Sequence, residues 1–254
     1  MEPRIDLNAD VGEGLGPWGM GDDAALIPLV SSVNIACGAH AGDPLTMRRT
    51  VRLALASGAA IGAHPGYPDL VGFGRRDLGM TAEELEASVL AQVAALAGVA
   101  RAEGGVLHHV KPHGALYHRA ARDPAVARPI AAAVVRFDPA LRLLGPPNSA
   151  LAAAAVEAGL AATTEGFVDR AYEPDGSVRP GLPPDDAYRD PAAAAARAVA
   201  MALRHEVMTA NGTVVPLDVD SICIHGDAPG AVPQARAIRS ALEAAGVRVV
   251  APGA

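Results

Sequence analysis

The chain has 254 residues, of which 50% are hydrophobic and 19% are charged, so it has ample apolar surface for a core and is not a disordered polypeptide. Its net charge of −7 argues against a nucleic-acid-binding protein, and it lacks the run of about 18 uncharged apolar residues that a membrane helix needs. Only two cysteines are present, and the first residues do not form a basic region followed by an apolar run. We therefore expect a cytoplasmic protein.

One pattern recurs along the chain: a short apolar strand, a loop with glycine or proline, a capped helix, and then the next strand. The predicted strands span residues 5–9, 32–37, 60–63, 106–110, 141–144, 161–165 and 221–224, with 247–250 as a candidate eighth. Helix starts are marked by aspartate before proline, or by a threonine followed three residues later by glutamate, at Asp43, Thr81, Asp123 and Asp190.

Strands that alternate with helices predict parallel strands joined by right-handed crossovers. Seven or eight such units without an interdomain linker predict a single (β/α) barrel domain over residues 1–254. The alternative is an open doubly wound sheet. That fold normally has a glycine-rich phosphate loop after its first strand, and residues 8–13 do not form one.

Polar residues interrupt the apolar strands near their C-terminal ends, in an alternating pattern. They comprise Asp6, Asn8 and Asp10 in the first strand, His109, Lys111 and His113 in the fourth, and Ser221, Cys223, His225 and Asp227 in the seventh. Other strands are followed by His40, Asp43, His64, Glu165, Asp169 and Arg170. Because alternate residues of a strand face opposite sides, we expect these side chains to point into the mouth of the barrel, where such barrels hold their active sites.

Lys111 stands out because it is the only lysine in a chain that otherwise uses arginine. An ammonium group is a compact charge whose pKa responds to burial, so this position is a candidate for catalysis. Each polar residue also has a purely structural explanation: a histidine can be a satisfied core group, Asp43 a helix cap, and Arg75 with Arg76 a solvated surface pair. His118 and His205 are assigned to the surface or to helices, without a function.

Seven segments together resemble the LamB/YcsF family, in order and from about residue 5 to residue 250. They are DLNADVGE at 6–13, NIACGAHAGD at 34–43, GAHPGYPD at 62–69, GFGRR at 72–76, KPHGALY at 111–117, FVDRAY at 167–172 and HGD at 225–227. One local departure is residues 165–169, where we expect other apolar residues at 166 and 168.

The resemblance implies a distorted, seven-stranded (β/α) barrel related to glycoside hydrolase and deacetylase barrels. It also implies ATP-dependent hydrolysis of 5-oxo-L-proline (pyroglutamate) to L-glutamate, together with B and C subunits. No Gly-x-x-x-x-Gly-Lys-Ser/Thr loop is present, so we expect the partner subunits to share the handling of ATP and its magnesium.

Roles follow for the residues of these segments. Asp10 or Glu13 is the candidate general base, and Lys111 is the candidate donor to a developing oxyanion or to a transferred phosphoryl group. Orienting these groups or moving protons is the candidate role of His40, His113 and His225. Arginines suit the substrate carboxylate through bidentate hydrogen bonds. The full set of predicted substrate-binding residues is Asn8, His40, Arg75, Arg76, Tyr117, Glu165, Asp169, Arg170, His225 and Asp227.

A divalent metal ion is an alternative feature of the same site, since one carboxylate and two imidazoles form a familiar open catalytic set. Asp10, His64 and His113 are the candidate ligands. Two other function classes stay open: a metal-dependent deacetylase or carbohydrate-active hydrolase on the same barrel, and a non-catalytic regulatory subunit. Self-association stays open too, as does the role of residues 171–190, either a lid or docking surface or an ordered surface excursion.

Overall fold

The computed structural model describes residues 2–179 and 190–253. Seven parallel strands form a closed barrel: β1 (Arg4–Val11), β2 (Ser32–Ala36), β3 (Ala60–His64), β4 (Leu107–Val110), β5 (Arg142–Gly145), β6 (Ala161–Phe167) and β9 (Ser221–His225). The barrel closes because β1 pairs with β2 on one side and with β9 on the other. This closure confirms the predicted barrel and excludes the open sheet.

Helices cover the outside of the barrel: α1 (Asp23–Leu26), α2 (Pro44–Ser57), α3 (Ala82–Ala102), α4 (Gly114–Ala120), α5 (Pro124–Phe137), α6 (Ala150–Glu157), α7 (Pro191–Arg204) and α8 (Ala231–Ala244). A 3-10 turn, Ile27–Leu29, follows α1. The predicted caps are present: Asp43 accepts hydrogen bonds from two backbone N–H groups of α2, and Thr81 forms a reciprocal capping box with Glu84.

The apolar core lies between the barrel and its helices, and the barrel interior is polar. In β1, Ile5, Leu7 and Ala9 pack in the core, whereas the intervening Asp6 and Asn8 are buried inside the barrel. The predicted alternation of the strands is therefore confirmed. This alternation places a column of hydrogen-bonding side chains inside the barrel, and the column ends at the C-terminal ends of the strands.

Two short additions lie outside the ring. The antiparallel hairpin of β7 (Glu206–Met208) and β8 (Val214–Pro216) was not predicted, because strands of three residues show no clear periodicity, although Asn211 with Gly212 is a hairpin-turn signal. The candidate eighth strand is β10 (Arg248–Val249), which pairs with the first residues of β1 rather than entering the barrel.

The predicted lid or docking segment, residues 171–190, lies partly outside the described residues, since the structure describes only 171–179 and 190 of it. In the described part, Tyr172 forms an antiparallel bridge with Val178, and the Tyr172 side chain is buried.

Within the described parts of the chain, α3 has the length and composition of a helix that could cross a membrane. It is an outer helix of the barrel here, with Leu85, Val89, Val93 and Leu96 buried in the core.

Candidate active site

A cavity of about 540 Å³ opens at the C-terminal ends of the barrel strands, the end at which the sequence places the polar residues. Its floor contains Asp10, His64, Lys111, His113 and His225, which come from four different strands or the residues directly after them. Four arginines also line the cavity: Arg75, Arg119, Arg122 and Arg170. The predicted convergence of distant polar residues on one pocket is therefore present.

Lys111 occupies the centre of the floor and is 2% exposed. Its Nζ lies 3.0 Å from Asp10 Oδ1 and 3.0 Å from Glu165 Oε2, and it also donates to Asn8 Oδ1 and to Cys223 Sγ. Burial by itself lowers the pKa of this ammonium, but the nearby Asp10, Cys223 and Glu165 raise it well above its ordinary value. Lys111 is therefore a fixed positive charge at the bottom of the cavity.

Asp10 connects this lysine to the histidines. Its Oδ1 accepts from Lys111 and from Asn34 Nδ2, whereas its Oδ2 lies 3.5 Å from His64 Nε2 and 3.9 Å from His225 Nε2. Burial tends to raise the pKa of this carboxyl, but the neighbouring His64 and Lys111 hold it well below its ordinary value. Asp10 is therefore an ionised carboxylate with one oxygen turned toward the histidines.

His225 is oriented by a second carboxylate. Its Nδ1 lies 2.8 Å from Asp169 Oδ2, its ring stacks on Phe167, and its Nε2 faces Asp10. Burial raises the pKa of Asp169, but His225 and then Arg170 outweigh it and lower that pKa. This carboxylate–imidazole pair leaves the outer nitrogen of His225 at the cavity, in a position to exchange a proton.

His64 belongs to a cluster of four buried groups close to Asp10, together with Glu13, His40 and His113. His113 Nδ1 lies 3.0 Å from His64 Nε2, and Glu13 Oε1 lies 3.5 Å from both His113 Nδ1 and His40 Nε2. Burial, reinforced by Asp10, raises the pKa of Glu13 well above its ordinary value. Burial also lowers the pKa of His40 and His113 well below their ordinary values.

Beneath the floor, a hydrogen-bonded column supports these side chains. Asn34 donates to Asn8 and Asp10, and its Oδ1 lies 2.7 Å from His109 Nε2. The ring of His109 fits only because the facing residue of β3 is Gly62, where a Cβ would lie 2.0 Å from His109 Nε2. The column fixes the height and direction of Asp10 before any ligand binds.

The predicted site residues divide into three groups by position. Arg75, Tyr117, Arg170 and Asp227 line the cavity with the floor residues, and Arg75 Nη2 lies 2.7 Å from Asp227 Oδ2. Asn8, Glu13, His40, Glu165 and Asp169 are buried behind that lining. Arg76 is apart from the cavity: its exposed side chain pairs with Asp69, so the structure does not place it with the predicted substrate-binding residues.

Sequence reasoning missed several residues that the structure adds. Asn34 shares the inward face of its strand and pairs in register with Asp10, a signal that the alternation of β2 contains. Arg119 and Arg122 reach the cavity from helix α4 and the turn after it, and no local pattern predicts their direction. His118, assigned no function, also lines the cavity.

Comparison with known proteins finds relatives along the whole chain. The model of the LamB/YcsF family matches residues 5–254. The A subunit of 5-oxoprolinase from Methylococcus capsulatus is 54% identical over 253 residues, covering 100% of this chain and 97% of its own. The corresponding protein of Thermus thermophilus is 50% identical over 246 residues, covering 97% of this chain and 98% of its own.

Solved structures show the same fold. The crystal structure of the lactam utilization protein from Thermus thermophilus superposes with a TM-score of 0.91 at 48% identity, covering 98% of this chain and 99% of that one. A deacetylase solved with its substrate has a TM-score of 0.50 at 17% identity, covering 98% of this chain and 88% of that one, which shows a shared barrel fold only. With its full-length family match and relatives at about half identity, the chain belongs to the LamB/YcsF family.

Proposed function

We propose that this chain is the A subunit of an ATP-dependent 5-oxoprolinase, which opens the lactam ring of 5-oxo-L-proline to give L-glutamate. In this proposal it acts in the cytoplasm with B and C subunits, which share the handling of ATP and magnesium. The relatives named as the A subunit of 5-oxoprolinase and the related lactam utilization protein support the reaction class.

The observation that carries the proposal is the position of Lys111 at the bottom of an arginine-rimmed cavity, between two carboxylates. A lactam under attack develops negative charge on its carbonyl oxygen, and a buried ammonium stabilises such charge strongly because water does not screen it. The substrate also has a carboxylate, for which Arg75 and Arg170 at the rim provide guanidinium partners.

The chemistry needs activation because the closed five-membered ring is favoured over the open amino acid. Transfer of the γ-phosphoryl group of ATP to the lactam oxygen makes C5 electrophilic and releases ADP. Water then attacks C5, the C5–N bond breaks as the nitrogen takes a proton, and γ-glutamyl phosphate forms. A second water releases phosphate, so one lactam, one ATP and two waters give glutamate, ADP and phosphate.

Residues of the floor have matching positions for these steps. Asp10 lines the cavity, and its Oδ2, which neither Lys111 nor Asn34 holds, can accept a proton from the attacking water. His225, held by Asp169, can supply the proton that the departing nitrogen needs. Glu13 lies behind the lining beside the histidines, so its position makes it a weaker candidate for the base than Asp10.

Reconstitution tests the proposal. Glutamate formation from 5-oxoproline is measured for the chain alone and with B and C subunits, each with and without ATP, for wild type and Lys111→Ala. We expect turnover only with ATP and all three subunits, and its loss in the variant. Arg128→Ala, which changes an exposed side chain on α5, is the matched control. Full turnover by the Lys111→Ala complex would refute the role of this floor.

The histidine–carboxylate cluster favours a second candidate, a metal-dependent deacetylase or carbohydrate-active hydrolase. This function needs neither ATP nor partners. Release of acetate from an N-acetylated sugar by the chain alone, with no turnover of 5-oxoproline in the full complex, would establish it in place of the lactam reaction.

A further inference from the structure

Four buried donor groups meet beside Asp10. They are Glu13 after β1, His40 after β2, His64 at the end of β3 and His113 at the start of α4. One donor atom from each lies within 4.8 Å of the other three. The reaction proposed above assigns no step to this cluster as a unit.

Counting protons shows that the two central histidines need a cation between them. His64 Nδ1 lies 2.8 Å from the carbonyl oxygen of Lys111, and His113 Nε2 lies 2.9 Å from that of Phe73. Carbonyl oxygens only accept, so both of these nitrogens must donate. In neutral imidazoles the remaining nitrogens then have lone pairs, and these two atoms face each other at 3.0 Å.

A proton shared between His64 Nε2 and His113 Nδ1 would remove the repulsion between their lone pairs. It would not provide partners for the other buried polar atoms nearby. Among the described residues, Glu13 Oε1 and both ring nitrogens of His40 are buried without a hydrogen-bond partner. Asp10 Oδ2 also points at the cluster, 3.5 Å from His64 Nε2. Buried polar atoms without partners are costly, and an ion of charge +2 beside the two imidazoles satisfies Glu13 Oε1 and offers a partner to Asp10 Oδ2.

The distances between donors are those of a coordination shell. A metal–ligand bond of about 2.1 Å places neighbouring ligands about 3.0 Å apart at right angles and about 3.4 Å apart at the tetrahedral angle. His64 Nε2 and His113 Nδ1 are 3.0 Å apart, and Glu13 Oε1 is 3.5 Å from His113 Nδ1. Hydrogen bonding of the outer ring nitrogens to carbonyls is also how metal-binding histidines are oriented.

His40 takes a supporting position rather than a fourth place on the ion. Its ring stacks on His113 at 3.7 Å with 4° between the planes, so one ion cannot lie in the plane of both rings. Its Nε2 lies 3.5 Å from Glu13 Oε1, beside the ligand oxygen rather than on the ion. The two stacked rings fit only because residue 74 is glycine: a Cβ there would lie 2.8 Å from His40 Cβ and 2.9 Å from His113 Cδ2.

We propose that Glu13, His64 and His113 bind a divalent transition-metal ion at the cavity floor, with Asp10 Oδ2 as the neighbouring carboxylate. Two imidazoles and carboxylate oxygens suit Zn²⁺, Co²⁺, Mn²⁺ or Fe²⁺ better than Mg²⁺ or Ca²⁺. The set keeps two of the three ligands predicted from sequence and adds Glu13. It does not depend on the proposed lactam reaction.

Metal binding to the purified full-length chain tests this site without an activity assay. The chain is stripped with a chelator, and Zn²⁺ binding is measured by calorimetry and by elemental analysis after dialysis. We expect one ion per chain for wild type, and at least about 100-fold weaker binding for Glu13→Gln and for His113→Ala, more than the loss of an outer-shell partner causes. His118→Ala, a histidine of the same cavity outside the cluster, should bind like wild type.

Circular dichroism establishes that each variant is folded. A second measurement needs only wild type: Co²⁺ added to the stripped chain should give visible absorption bands of a low-symmetry site, and Zn²⁺ should remove them. The proposal is overturned if stripped wild type binds no stoichiometric Zn²⁺ or Co²⁺, or if folded Glu13→Gln and His113→Ala bind as tightly as His118→Ala.

Discussion

Lys111 Nζ and Asp10 Oδ1 lie 3.0 Å apart at the bottom of the barrel mouth, both buried, although 101 residues separate them in the chain. Glu165 lies at the same distance on the other side of the ammonium. Two carboxylates therefore share one cation in a site that excludes most water. Removing the cation leaves negative charges without compensation, whereas removing either carboxylate does not.

The first prediction concerns this cation. Lys111→Ala should lower turnover in the reconstituted complex by about 10²–10³-fold, the usual effect of losing an oxyanion donor. It should also lower the free energy of unfolding by about 3–5 kcal/mol, because Asp10 and Glu165 become unpaired buried charges. Steady-state kinetics and urea denaturation measure the two effects, and a variant that is active and as stable as Arg128→Ala would contradict the prediction.

Two adjacent arginines, Arg75 and Arg76, allow a matched test of which side chain binds the substrate carboxylate. Arg75 lines the cavity, whereas Arg76 pairs with Asp69 away from it. Arg75→Ala should raise KM for 5-oxoproline by about 10–100-fold, the range for a hydrogen bond to a charged group, with a smaller change in kcat. Arg76→Ala should leave KM unchanged. Equal effects of the two substitutions would show that the cavity rim does not hold the carboxylate.

Asp169 acts through His225 in the proposed reaction. Asp169→Asn keeps the size of the side chain but removes the charge that fixes the tautomer of the imidazole. We expect kcat to fall by about 10²-fold, at the lower end of the range for general acid–base catalysis, while KM changes little. A wild-type kcat in the complex would mean that this pair does not move a proton in the slow step.

Asp6 makes folding stability depend on pH. Burial is the main cause that raises its pKa to about 6, against hydrogen bonds from Ser221, Ser31 and Ser32 that lower it. The folded state therefore holds a proton between about pH 4 and 6 that the unfolded state releases, so this group lowers stability as pH rises through that window.

The variant Asp6→Asn removes this titration. Its free energy of unfolding should exceed that of wild type by about 1–3 kcal/mol at pH 7–8, and the difference should shrink toward pH 4. Urea denaturation at several pH values measures the difference. Asp218→Asn, which changes a side chain that is 88% exposed, should follow wild type throughout. A pH-independent gap between Asp6→Asn and wild type would contradict the raised pKa.

Gly62 tests the column beneath the floor. Gly62→Ala should destabilise the protein by about 1–3 kcal/mol, because the added Cβ overlaps the His109 ring and displaces its hydrogen bond to Asn34. Gly98→Ala is the control: it lies in the exposed part of α3 with open space around it, and should stabilise by up to about 1 kcal/mol. Thermal unfolding that moves both variants in the same direction would contradict this account.

Much of this architecture was predictable because it depends on local rules. Strand alternation and aspartate–proline caps fixed the barrel strands and most helix starts, and the register of side chains placed Asp10, Lys111 and His225 on one face. The position of Arg76 was not predictable, since nothing in two adjacent arginines shows which one faces inward. The neighbours of Glu13 depend on a turn at Gly12, whose φ of +70° redirects the chain after β1.

Closure of the barrel between its first and seventh strands has a consequence for synthesis. Residues 6–10 pair with residues 221–225, so the N-terminal strand lacks one of its two neighbours in the barrel until nearly the whole polypeptide has left the ribosome. Pairings between such distant segments form slowly. The complete pocket therefore forms only at the last stage of folding, and nascent chains that stop before residue 221 lack His225 and the strand that closes the barrel beside Asp10.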